Sequence, residues 1–237
     1  MRVLDLFSGI GGFSLGLERA GMETVAFCEM DPAAQKVLAK HWPEVPCYPD
    51  VRSVTRQRLE DDGIRGINVI CGGFPCQDIS FAGSGAGLGG ERSGLWWEFH
   101  RLIGEIKPAF VIIENVSALR TRGLADVLRG LHALGYDAEW HCIPASHFGA
   151  PHRRDRIWIV AYPHNDGKPV GSLNDEARRL PTIGAIGWGP WRDGFTGDVR
   201  MAYGLSGGMD RIKQLGNSVV PQIPEAIGRA IMEVTKC

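Results

Sequence analysis

Three short stretches of this chain carry side chains suited to covalent chemistry. Gly72-Gly73-Phe74-Pro75-Cys76-Gln77 follows the apolar run Val69-Ile70-Cys71 and sets a cysteine on a constrained loop at the end of a strand. An arbitrary cysteine is usually buried and inert. The proline and glycines before Cys76 argue instead for a held, accessible thiol, which acts as a nucleophile only as its thiolate. Glu114-Asn115-Val116 closes a second apolar run, 110–113, and delivers a carboxylate to the same sheet edge. Alone, Glu114 reads equally well as a helix cap or a surface charge; beside the cysteine loop it becomes a candidate acid. His152-Arg153-Arg154-Asp155-Arg156 stands ahead of a third run, 157–160. The fixed donor fork of arginine suits a phosphate or a base carbonyl there, the alternative being a solvated basic turn.

A fourth stretch suits ligand binding. The first strand ends in Asp5-Leu6-Phe7-Ser8-Gly9-Ile10-Gly11-Gly12 and runs into a helix, which puts a glycine turn where α/β folds bind nucleotide-like ligands. The spacing is not GxGxxG, and a plain tight turn would read the same way. Glu29, however, follows the second strand at about the distance where an acidic side chain meets a ribose diol. The two features together favour an adenosyl ligand.

The elements that must position these residues alternate short β-branched runs with helical stretches. Strands are expected at 3–7, 24–28, 67–71, 110–114, 138–143 and 156–161, and helices at 13–20, 32–41, 96–106 and 125–134. That rhythm predicts a doubly wound α/β fold, a Rossmann-like parallel sheet covered by helices. The glycine-rich segment 80–94 reads as a loop, functionally a flexible lid. Residues 163–209, rich in Gly, Pro, Trp and Arg, read as a small irregular insertion, and 221–234 as a closing amphipathic helix. The expected organisation is a catalytic domain over 1–162, an insertion over 163–209 and a returning segment over 210–237.

With 237 residues and 44% hydrophobic content the chain can bury one sizeable core. Its formal net charge of −1 excludes nucleic-acid binding by bulk charge, so any such contact must come from local clusters such as 152–156 or Arg178-Arg179. The six cysteines show neither CxxC spacing nor a zinc pattern, so no metal and no disulfide scaffold is expected. A strand-like start without a signal sequence, and no apolar run approaching a membrane span, point to a reducing cytoplasm.

Taken in order, these blocks resemble the DNA (cytosine-5)-methyltransferase family of small bacterial or phage type. The resemblance runs over nearly the whole chain: Asp5 to Gly12, Glu29, Asp50, Pro75-Cys76-Gln77, Glu114-Asn115-Val116, Arg154-x-Arg156 and Gln214-Leu215-Gly216-Asn217-Ser218-Val219-Val220-Pro221. It implies an enzyme that moves a methyl group from S-adenosyl-L-methionine to C5 of a flipped-out cytosine, leaving S-adenosyl-L-homocysteine. Cys76 would add to C6, Glu114 would hold N3 as a protonated acid, Asn115 would support both, and Arg156 with Arg154 would bind the base O2. The methyl donor would be bound by Asp5, Phe7, Gly9, Gly11, Gly12, Glu29, Met30, Asp50, Val51, Pro75, Asn217 and Val219. Ser80, Arg92 and Ser93 on the lid would touch DNA. The implied partner is double-stranded DNA, met by a monomer in a bacterial or phage-infected cell, with a small target-recognition region at 163–209.

The chain departs from the family's pattern in three places. His152 stands where many members have glutamine, Met30 where some have an aromatic residue, and the insertion is short, with only Asp210-Arg211 as a remnant of the block that usually closes it. Two alternatives stand beside the main reading. A transfer-RNA cytosine-5 methyltransferase would carry a Cys-Phe-Thr stretch in the variable region, which is absent here. A catalytically silent cofactor- or DNA-binding protein would not need Cys76, Glu114 and Arg156 together.

Overall fold

A computed structural model of the protein describes residues 1–75, 94–150, 152–164 and 218–235. Cys76, Ser80, Arg92, Ser93 and Asn217 lie outside the described residues, as does nearly all of the expected recognition region.

The described strands are β1 (Arg2–Leu6), β2 (Glu23–Cys28), β3 (Cys47–Tyr48), β4 (Ile67–Gly72), β5 (Phe110–Val116), β6 (Tyr136–Pro144) and β7 (Asp155–Pro163). They form one sheet in the order β3-β2-β1-β4-β5-β7-β6. The helices are α1 (Gly12–Arg19), α2 (Pro32–His41), α3 (Arg56–Asp61), α4 (Gly94–Ile106), α5 (Leu119–Arg122), α6 (Leu124–Ala133) and α7 (Gln222–Val234). From β1 the chain winds outward through β2 to β3, then crosses back to β4 on the other side of β1. The doubly wound α/β expectation holds, and a topological switch point falls at β1.

The sheet that the sequence rhythm suggests as parallel is mixed. β1 to β5 are parallel, but β7 runs antiparallel between β5 and β6. A parallel return requires a crossover of about a dozen residues or more, usually through a helix. Residues 145–154 are fewer than that and hold only a 3-10 turn, Ala145–Phe148, so β6 folds straight back onto β7.

Side chains alternate between the two faces, as the period-2 geometry of strands requires. Leu4, Ile70 and Val111 point into a core with Phe99, Leu102, Ile103, Val127 and Leu131 of α4 and α6. Their neighbours Val3, Val69 and Ile112 point into a second core with Phe13 and Leu17 of α1 and Ile223 and Ile231 of α7. α1 and α7 pack at backbone distance. A Cβ on Gly16 would collide with the Pro221 carbonyl, and one on Gly228 would lie 2.8 Å from Ala20 Cβ. α2 starts as its sequence suggests, with Asp31 Oδ1 accepting from the Ala33 amide at 2.8 Å and Pro32 at the first position.

Candidate active site

Parallel β1, β2, β4 and β5 all end on one edge of the sheet, and antiparallel β7 begins there. Val116 at the end of β5 is therefore paired with Arg156 at the start of β7, and Glu114 with Trp158. Arg156 Nε donates to Glu114 Oε1 at 2.9 Å. Had β7 run parallel, Arg156 would sit at the far edge. The carboxyl is 12% exposed, and burial pushes its pKa up, while Arg156 and then Arg154 pull the other way. Arg154 is partly buried beside them, with its own pKa lowered first by burial and then by Arg156.

Asn115 is 3% exposed and links this acid to the cysteine loop. Its Nδ2 donates to the Phe74 carbonyl at 2.9 Å, two residues ahead of Cys76, and its Oδ1 accepts from the Val116 amide. Gly73 lies against the acid itself: a Cβ there would stand 2.9 Å from Glu114 Oε2. Phe74 is buried against Trp96 of α4 with ring centroids 5.3 Å apart, while Pro75 is exposed. The acid, the arginine pair and the root of the Pro-Cys loop are thus held together.

Two strands further along lies the glycine turn. Phe7 takes φ 54, a left-handed backbone uncommon for a bulky residue, and Gly9 and Gly11 take φ 54 and 86. The turn is pinned by the Ser8 amide on the Cys28 carbonyl at 3.1 Å and by Ser8 Oγ on the Asp5 carbonyl at 2.7 Å. Glu29 is fixed over it: Oε2 accepts from the Gly9 amide and Oε1 from the Asp31 amide, both at 2.7 Å. A Cβ built on Gly9 meets nothing within 4 Å, whereas one on Gly11 would strike the Trp42 ring and one on Gly12 the Val219 carbonyl. Met30, next to Glu29, is 77% exposed, and Asp50 is exposed at the end of β3. Open space above Gly9, a carboxylate held at its rim and an exposed apolar side chain beside it fit an adenosyl ligand.

Two of the expected ligand residues lie inside the protein. Asp5 is fully buried beneath the turn, its Oδ2 accepting from Ser14 Oγ at 2.7 Å, so its side chain supports α1 and does not face the space above. Val51 is 4% exposed and packs into the core beneath the edge. Other members of the edge were not foreseen. Trp42, whose indole donates to Glu18 at 2.8 Å, packs its ring onto Gly11. Arg101 of α4 donates to the Val51 and Val54 carbonyls at 3.3 and 2.8 Å while paired with Glu98 and Glu105. The spacing Glu98, Arg101, Glu105 on one helix face was the available signal for the last of these.

Comparison with known proteins bears on the same residues. A model of the C-5 cytosine-specific DNA methylase family matches residues 1–184. The type II methyltransferase M2.BsuMI of Bacillus subtilis is 36% identical over 178 residues, covering 72% of this chain and 44% of its own. The type II methyltransferase M.HhaI of Haemophilus parahaemolyticus is 31% identical over 166 residues, covering 68% and 49%. Among solved structures, a putative DNA modification methyltransferase encoded within an E. coli prophage superposes with a TM-score of 0.58 at 29% identity, over 69% of this chain and 47% of that one. The chain spans about half the length of the curated relatives it matches.

Proposed function

The chain belongs to the C-5 cytosine-specific DNA methylase family, and on that footing we propose that it methylates C5 of cytosine in double-stranded DNA, acting as a cytoplasmic monomer. The observation that carries this reading is the largely buried Glu114 carboxyl paired with half-buried Arg156 at adjoining strand ends, joined through Asn115 to the loop that leads into Cys76.

Attack on C6 comes from the face of the ring, so the target base leaves the stack before reaction. S-adenosylmethionine, when bound, supplies an electrophilic methyl group on a positively charged sulfur; Phe7, Gly9, Gly11, Glu29, Met30, Asp50 and Val219 would hold it, with Asn217 from outside the described residues. Cys76, as a thiolate, adds to C6 of the cytosine, and the displaced electron pair makes C5 nucleophilic. Glu114, whose burial favours the protonated form, hydrogen-bonds N3 where charge develops. Arg156 and Arg154 steady that acid and the base O2. Once C5 carries the methyl group, with S-adenosylhomocysteine as the other product, it loses its proton to solvent, the C6–sulfur bond breaks, and the Cys76 thiolate is regenerated.

The test is to incubate the purified protein and its Cys76→Ala variant with labelled S-adenosylmethionine and either duplex DNA or transfer RNA. Label should appear as 5-methylcytosine in the duplex, at a short sequence motif, and fall by at least about a thousandfold in the variant. Label in transfer RNA alone, or undiminished label with Cys76→Ala, would overturn the reading.

A further inference from the structure

Most arginines among the described residues sit on carboxylates. Arg19 meets Glu225, Arg56 meets Glu60, Arg58 meets Asp62, Arg101 meets Glu98 and Glu105, and Arg129 meets Asp126. Arg120, Arg122 and Arg153 do not: all three are exposed, and among the described residues none has an ion-pair partner. They also share one location. Arg120 and Arg122 lie on α5, which begins three residues after Val116, and Arg153 lies three residues before Arg156. Val116 and Arg156 are paired across β5 and β7. Two neighbouring loops thus leave the catalytic edge together and carry three exposed guanidinium groups that meet no carboxylate among the described residues, against one exposed acid on the same loops, Asp155. Between Asn115 and Asp126 the chain has no acidic residue.

An exposed arginine costs the fold nothing when unpaired, but three at one edge of a molecule whose net charge is −1 make a local positive surface that bulk composition does not. α5 is anchored by fully buried Leu119 and closed by Gly123, whose amide bonds the Leu119 carbonyl at 3.0 Å, so its arginines project from a fixed turn. We infer that Arg120, Arg122 and Arg153 form a phosphate-binding rim, which grips the DNA backbone beside the active site. The rim rests on the function proposed above. It supplies affinity and orientation without reading sequence, because guanidinium–phosphate contacts carry no base information.

The test measures duplex binding by anisotropy from low to moderate salt for the wild type, Arg120→Gln/Arg122→Gln and Arg153→Gln. For every phosphate that a variant no longer neutralises, the slope of log K against log salt should fall by about 0.9 and binding should weaken roughly fivefold at low salt, with the methylated motif unchanged. Lysine at the same positions should keep the slope. Arg65→Gln, at another exposed arginine with no ion-pair partner among the described residues, just before β4 at the opposite edge, should leave it as in the wild type. If the Gln variants retain the wild-type slope, or if Arg65→Gln lowers it as much, the rim is overturned while the methyltransferase reading stands. A wild type that binds no duplex at all overturns both.

Discussion

Asp5 has no exposed surface, and burial pushes its carboxyl up to about 7 against the opposing hydrogen bonds from Ser14 and Cys71. The folded protein therefore keeps a proton that the unfolded chain has released. Stability contributed by that proton is full below about pH 4 and is lost as pH rises toward 7, on the order of 4 kcal/mol across the interval. Asp5→Asn can still accept from Ser14 but does not titrate. Its melting temperature relative to wild type should rise between pH 5 and pH 8; a constant difference would place the pKa elsewhere. The sequence marked Asp5 as part of the ligand turn, and position alone could not say which way the side chain faced. That depended on Ser14, nine residues on, and on Cys71 of another strand, neither of which stands out by type or spacing. Glu114 and Arg156 were legible because each closes or opens an apolar run, so a strand-end position could be read directly. Their contact was not, since it depends on strand direction.

Among the elements, the long periodic ones were legible and the short ones were not. β3 has two residues, and α3 is Arg-Gln-Arg-Leu-Glu-Asp with only Leu59 buried, too little for a periodic signal. The antiparallel course of β7 left no trace in its own residues, which suit either direction; only the shortness of 145–154 hinted at it. The closing helix is legible to within a residue, but its intimacy with α1 is not. Gly16 shows what that contact demands. An alanine there favours helix by about 1 kcal/mol in isolation, yet its Cβ would meet the Pro221 backbone and force α7 outward. Gly16→Ala should lose about 1–3 kcal/mol in urea unfolding. It should also weaken S-adenosylmethionine binding, because Val219 moves with Pro221. Unchanged stability together with unchanged affinity would show that α7 yields without cost.

At the scale of the whole molecule, the proposed ligand edge joins elements far apart in sequence: the turn after β1 is backed by Val219, which rests on Gly12 just ahead of α7. A ligand seated there would tie α1 to α7 and favour the folded state by mass action. S-adenosylmethionine at about 100 times its dissociation constant should add about 2.7 kcal/mol and raise the melting temperature by several degrees, and S-adenosylhomocysteine should do the same. Differential scanning fluorimetry reads this directly; no shift with either compound would remove the adenosyl site from this edge.

The described residues on either side of 76–93 are fixed: Phe74 is held on Asn115, and α4 is held through Arg101 on the carbonyls of Val51 and Val54. Both abutments are therefore set by the scaffold whatever spans them. Loop-closure entropy grows only logarithmically, about 0.6 kcal/mol per doubling of length, so a flexible chain of another length grafted between these two footings should change folding free energy little. A graft of different length between the same two footings becomes a means of altering turnover while the foundation stays put.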